Sequence, residues 1–134
     1  MKLSDNITGL QHIGIPTLDV AASCAFYEKL SFTKIFERDF DDNGNPGHAA
    51  FMQKGSLVLE IYKAAEIAGQ AGAVDHIALN VQDIEEAFRE INELGLNNTN
   101  DSIHFLPFFE HGVKFFTIQG PAQEKVEFNQ YLKA

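Results

Sequence analysis

A chain of 134 residues, 45% hydrophobic and 22% charged, has the size and composition of one ordinary globular domain, which excludes a disordered tail, a collagen-like rod and a coiled coil. Ten Lys and Arg against nineteen Asp and Glu leave a formal charge of −9, which repels phosphate backbones and anionic lipid and argues against nucleic acid or membrane as partners. The start Met1-Lys2-Leu3-Ser4-Asp5 has no apolar leader, no run approaches the roughly 18 apolar residues of a spanning helix, and the expected location is the cytoplasm.

The first element is the short alternating run Leu10-Gln11-His12-Ile13-Gly14-Ile15, read as a strand. Asp19 follows as a helix N-cap, its carboxylate placed to accept from the free N–H groups of a first turn. The helix over 20–30 sets Val20, Cys24, Tyr27 and Leu30 along one side. Cys24 is the only cysteine, so it forms no internal disulfide and no C-x-x-C pair, and it reads as a small hydrophobe under the helix. Strand-like runs come next at 33–40, 49–54 and 56–62. Between the first two, Asp39-Phe40-Asp41-Asp42-Asn43-Gly44 resembles half of an EF-hand loop, but Ala50 stands where a bidentate Glu is required, so a turn is expected.

An Ala- and Gly-rich stretch at 63–73 reads as a linker, after which the pattern starts again with Val74-Asp75-His76-Ile77-Ala78-Leu79. Asp83 is the second N-cap, Glu86 makes a capping-box variant, Ile84, Ala87, Phe88, Ile91 and Leu94 keep the helical period, and Gly95 ends it. Strands are predicted at 104–108, 113–119 and 125–128. The rings of Phe105-Leu106-Pro107-Phe108-Phe109 are expected mostly in core packing, with the wall of an apolar pocket as the alternative. His12/His76, Ile13/Ile77, Asp19/Asp83 and Leu30/Leu94 are identical pairs at a constant offset of 64 residues, the mark of duplication. The chain therefore reads as α+β: one domain over 1–134, built from tandem βαβββ modules at about 8–62 and 74–131.

On an extended strand His12 shares its face with Leu10 and Gly14, and His76 with Val74 and Ala78, so each histidine has a small neighbour beside it and branched apolar residues behind. Late in each module a carboxylate interrupts another apolar strand, at Val58-Leu59-Glu60-Ile61 and Val126-Glu127-Phe128. An ionised Glu buried there without a partner costs several kcal/mol and needs a cation, a set of donors or solvent. One divalent metal held by two histidines and two carboxylates meets all four demands, and the donor set suits Zn²⁺, Ni²⁺, Co²⁺, Mn²⁺ or Fe²⁺. His48, His104 and His111 lack the repeat symmetry and are expected in loops or at strand edges.

These residues resemble the vicinal oxygen chelate superfamily, specifically its glyoxalase I-like metal isomerases, over nearly the whole chain. The resemblance is carried by His12-Ile13-Gly14-Ile15 with Asp19, Phe26-Tyr27-Glu28-Lys29-Leu30, Glu60, His76-Ile77-Ala78-Leu79, and Phe116-Thr117-Ile118-Gln119-Gly120-Pro121 leading to Glu127-Phe128. It implies a cupped mixed sheet and a metal ligand order His, Glu, His, Glu, which falls on His12, Glu60, His76 and Glu127. Fosfomycin-resistance and extradiol dioxygenase relatives use His, His, Glu; methylmalonyl-CoA epimerases usually carry Gln at the place of Glu60; bleomycin-binding members have no ligands. The chain departs from many members at Ala122-Gln123, where Asp or Asn then Gly is common, and at Ile15-Pro16-Thr17, where glutathione-using bacterial enzymes carry an Arg.

The resemblance implies a lyase or isomerase acting on a hemithioacetal of methylglyoxal through an enediolate, with Glu127 as base and Glu60 as its symmetric counterpart. The alternatives are an epimerase, a dioxygenase, a fosfomycin-type thiol transferase, or a protein that binds a small molecule without turnover. Modules of this family face one another either within a chain or swapped between chains; the short linker at 63–73 favours the swapped form, a homodimer whose sites take His12 and Glu60 from one chain and His76 and Glu127 from the other, with no residues assigned to substrate binding.

Overall fold

A computed structural model describes residues 2–134, which divide into two compact units, 2–65 and 66–134. The first unit begins with a single helical turn, α1 (Leu3–Asn6), that no sequence signal announces. It continues with β1 (Ile13–Thr17), α2 (Val20–Lys29), β2 (Thr33–Asp42), β3 (Asn45–Lys54) and β4 (Leu57–Lys63). The four strands form one sheet in the order β1-β4-β3-β2, with β1 parallel to β4 and the other pairs antiparallel. The second unit repeats this plan with β5 (His76–Asn80), α3 (Ile84–Glu93), β6 (His104–Leu106), β7 (Val113–Gln119) and β8 (Lys125–Tyr131), in the order β5-β8-β7-β6. In both, a helical crossover returns the chain to the same sheet, the usual way to make a parallel pair.

Both N-caps form as the sequence requires: Asp19 Oδ1 accepts from the Ala22 N–H at 3.0 Å and Asp83 Oδ1 from the Glu86 N–H at 3.1 Å. The expected capping box at Asp83 is only half made, because Glu86 turns its carboxylate to Arg89, which also reaches Glu93. Those ion pairs stand in open solvent and are screened, so the cap carries more of the stability of this helix end. Asp83→Ala should cost about 1 kcal/mol in denaturant unfolding, whereas Glu93→Ala should be near neutral. At the other end Gly95 has φ 71° and the Leu96 N–H bonds the Ile91 carbonyl, closing a Schellman motif. The chain turns away there, and Leu94, placed by periodicity on the apolar face, remains largely exposed.

In the first unit Val20, Cys24, Phe26 and Tyr27 of α2 are buried, and Ile15, Ala50, Met52, Leu59 and Ile61 form the apolar face of the sheet. In the second, Ile84 and Ile91 of α3 are buried with Phe116, Ile118, Val126 and Phe128, and the Phe116 ring stacks on Phe128 at 4.9 Å and meets the Phe88 edge at 5.1 Å.

Several boundaries differ from those expected. β1 starts three residues after Leu10, leaving His12 just before the strand. The β2–β3 hairpin runs through 33–54 around Asn43 and Gly44, at φ 52° and 88°, a tight turn whose Gly44 N–H is taken by Asp41 Oδ1. The acidic residues once suggestive of a calcium loop are thus mostly strand. β8 extends to Tyr131, and β6 stops at Leu106. Phe105 and Leu106 within this edge strand, and Phe108 and Phe109 beyond it where the chain leaves the sheet, are exposed rather than packed in a core. Phe105 covers Gly112, where a Cβ would lie 2.4 Å from its ring, and Phe109 meets Tyr131 edge-on.

Candidate metal centre

Parallel pairing sets Gly14 of β1 opposite Glu60 of β4, so the two share a face, and His12, two residues before Gly14, joins them. His12 Nε2 lies 3.2 Å from Glu60 Oε1. Ile15 and Ile61 occupy the other face and are buried, so the alternation that builds the core also turns the histidine and the carboxylate away from it. The second unit repeats the arrangement. Ala78 pairs with Glu127, and His76 Nε2 lies 3.6 Å from Glu127 Oε1.

The far nitrogen of each ring is held by the preceding residue. Gln11 Oε1 stands 2.8 Å from His12 Nδ1, and Asp75 Oδ2 stands 3.0 Å from His76 Nδ1. Both oxygens can only accept, so Nδ1 is the donor in each contact, and in a ring without a second proton the Nε2 lone pair faces the glutamate. Asp75 also receives the Lys125 ammonium at 3.2 Å, and these contacts to His76 and Lys125 hold its carboxyl below the usual range. Residue 11 and residue 75 are separated by the same 64 as the histidines, so the repeat itself contained this signal.

Two lone-pair atoms facing each other repel unless a proton or a cation lies between them. At 3.6 Å the His76–Glu127 gap is too wide for a hydrogen bond. Neighbouring ligands on one divalent ion stand roughly 3 to 3.4 Å apart, given metal–ligand bonds of about 2.0–2.1 Å. The donors, their approach and the acceptors behind the rings therefore fit a divalent ion. Each unit brings together one His and one Glu, and among the described residues no group of three or more His, Cys, Asp or Glu side chains is placed to hold a metal.

The two faces are otherwise unlike. In the first unit Phe51 is paired with Glu60, its ring lies edge-on to His12 at 5.7 Å, and Phe36 lies beyond it. In the second the residue paired with Glu127 is Thr117, and Asn129 Nδ2 donates to Glu127 Oε2 at 2.9 Å.

The remaining histidines have other partners. His48 lies within β3, not in a loop, with Nε2 2.8 Å from Glu37 and Nδ1 2.5 Å from Asp39; hydrogen bonds to these two carboxylates raise its pKa. The carboxylates lie on opposite sides of the ring and do not converge on one point. His104 opens β6 and bonds Asp101, whose other oxygen takes the Thr117 N–H. Asn98 and Thr99 bond the backbone of β7 at Gln119 and Thr117, so side chains satisfy an edge that β6 is too short to pair. His111 stands in a turn beside Glu110.

The sequence model of the Glyoxalase/Bleomycin resistance protein/Dioxygenase superfamily matches residues 9–127. The chain belongs to this superfamily. It is 29% identical over 125 residues to the uncharacterized protein YwbC of Bacillus subtilis, covering 90% of this chain and 96% of that one. A glyoxalase family protein from Enterococcus faecalis superimposes with a TM-score of 0.69 at 21% identity, covering 92% of this chain and 98% of the other. A glyoxalase family protein from Bacillus cereus gives 0.72 at 12% identity over 99% and 100%. The fosfomycin resistance protein FosX from Listeria monocytogenes, solved with Mn(II) and sulfate, gives 0.67 at 18% identity over 94% of each chain. The fold is that of the vicinal oxygen chelate superfamily, and among the described residues no helix is long and apolar enough to cross a membrane.

Proposed function

We propose that this protein is a divalent-metal-dependent lyase of the glyoxalase I type, converting the hemithioacetal of methylglyoxal and a thiol into a 2-hydroxyacyl thioester in the cytoplasm. The observation that carries the reading is the pair of facing His–Glu contacts, His12–Glu60 and His76–Glu127, each with its ring held from behind. His12, Glu60, His76 and Glu127 are the metal ligands, and the ion is Ni²⁺, Zn²⁺, Co²⁺, Mn²⁺ or Fe²⁺. Each unit supplies two of the four ligands, and the short linker at 63–73 favours completing the set in a homodimer, with His12 and Glu60 from one chain and His76 and Glu127 from the other.

When bound, the ion stabilises the negative charge that develops on two neighbouring substrate oxygens. Glu127 takes the proton from the carbon bearing sulfur through a carboxylate oxygen and returns it to the adjacent carbon, so the reaction is an isomerisation with no net gain or loss of atoms. Glu60 is its symmetric counterpart and completes the ligand set. Detoxification of methylglyoxal is the corresponding role.

The test is an assay of metal-reconstituted protein with methylglyoxal and several thiols, following thioester formation, with fosfomycin and a thiol as a parallel substrate. Thioester formation that disappears on chelation and returns with the ion is expected. Glu60→Gln should weaken metal binding less than His12→Ala, because an amide still offers an oxygen ligand. Turnover of fosfomycin in place of methylglyoxal would replace the lyase by a thiol transferase, and binding without turnover would make the protein a sequestering one.

A further inference from the structure

We propose that Asn129 is a positioning residue for Glu127, holding its carboxylate so that Oε1 stays turned toward His76, and that it makes the two His–Glu pairs unequal. The proposal rests on the reading of Glu127 as a metal ligand. Asn129 lies two residues beyond Glu127 in β8, hence on the same face, and its Nδ2 donates to Glu127 Oε2 at 2.9 Å. Tyr62 holds the corresponding place two residues beyond Glu60, and no donor among the described residues reaches the second oxygen of Glu60. The held carboxylate is also the less accessible one, with 15% side-chain exposure for Glu127 against 28% for Glu60.

The other end of the amide separates this role from a purely structural one. Asn129 Oδ1 is buried and has no hydrogen-bond donor among the described residues. An amide kept to brace the sheet would have both ends satisfied, and an apolar side chain of the same size would serve stability at least as well. Here the one bond made is to the carboxylate, which can only accept, so the charge on Glu127 sets which end of the amide faces it. With Oε2 occupied, Glu127 presents a single oxygen on the side of His76. Groups that orient metal ligands in this way typically change metal affinity roughly 10- to 100-fold when removed.

The experiment is a Co²⁺ titration of metal-free protein followed by visible absorption, comparing the parent with Asn129→Leu, Asn129→Ser and Tyr62→Phe. Asn129→Leu should bind Co²⁺ roughly 10- to 100-fold more weakly with an altered visible band, while its metal-free melting temperature is unchanged or higher. Asn129→Ser, which keeps a short donor, should recover part of the loss, and Tyr62→Phe should match the parent. Parental affinity and spectrum in Asn129→Leu overturn the proposal and leave the ligand reading standing. So does a Ser variant as weak as the Leu variant, or a loss of affinity matched by a loss of metal-free stability. A parent protein that takes up no Co²⁺ overturns the ligand reading and this inference with it.

Discussion

Glu127→Gln is expected to lower turnover by roughly 10²- to 10⁴-fold, about 3 to 5 kcal/mol of barrier, while affinity for a hydroxamate mimic of the enediolate falls much less. A glutamine side chain can keep its one oxygen toward His76, its NH2 then facing Asn129, whose amide turns over so that Oδ1 accepts, and the geometry around residue 127 survives the exchange. What it loses is the capacity to take a proton. Steady-state kinetics with the reconstituted enzyme, beside direct titration of the mimic, separates the two quantities. Equal losses in both would make Glu127 a ligand without a proton-transfer role and move that role to Glu60. Near-normal turnover with metal bound would remove Glu127 from the chemistry. Glu60→Gln measured in the same way is the control, since Asn129 makes the two carboxylates physically different.

Much of each unit is legible from its residues because burial is periodic. Ile13 and Ile15 alternate with His12 and Gly14, and only one register puts the branched residues under α2, which fixes where His12 and Glu60 must point. The two N-caps and the stop at Gly95 follow from local hydrogen bonding and need no tertiary information. Where burial is absent the pattern fails. All of β2 is exposed, including Ile35 and Phe36, so apolar alternation did not mark its end, and only the Asn43-Gly44 turn reveals that the hairpin is long. The rings at 105, 108 and 109 suggest a core by composition, yet Phe105 stands exposed on an edge strand that ends before the other two.

The site divides in the same way. Duplication makes His12 and His76, Glu60 and Glu127 stand out, because single polar residues that interrupt apolar strands in both copies are improbable by chance. The same repeat contains Gln11 and Asp75, but their role shows only once each is seen to hold a ring nitrogen. Asn129 has no repeat partner of its type, Tyr62 being its counterpart, so nothing in the sequence distinguishes it from a solvated strand residue. It emerges from a distance to Glu127 and from an amide oxygen left without a donor.

The central claim is that two incomplete His–Glu pairs from different chains combine to hold one divalent ion. Alone, His12→Ala or His76→Ala removes a ligand from every site, and each should lose metal affinity by more than the roughly 100-fold that follows loss of an orienting neighbour. Co-expressed with different tags and purified as the mixed dimer, the two variants recreate one intact site, because the unaltered His12 of one chain meets the unaltered His76 of the other. The second site then carries both changes. Elemental analysis of that mixed dimer after reconstitution should find about half the metal per chain of the parent protein, with recovered thioester formation. A mixed dimer that forms but holds no more metal than either variant alone would contradict the shared site, and a parent protein that holds no divalent ion would contradict the metal centre itself.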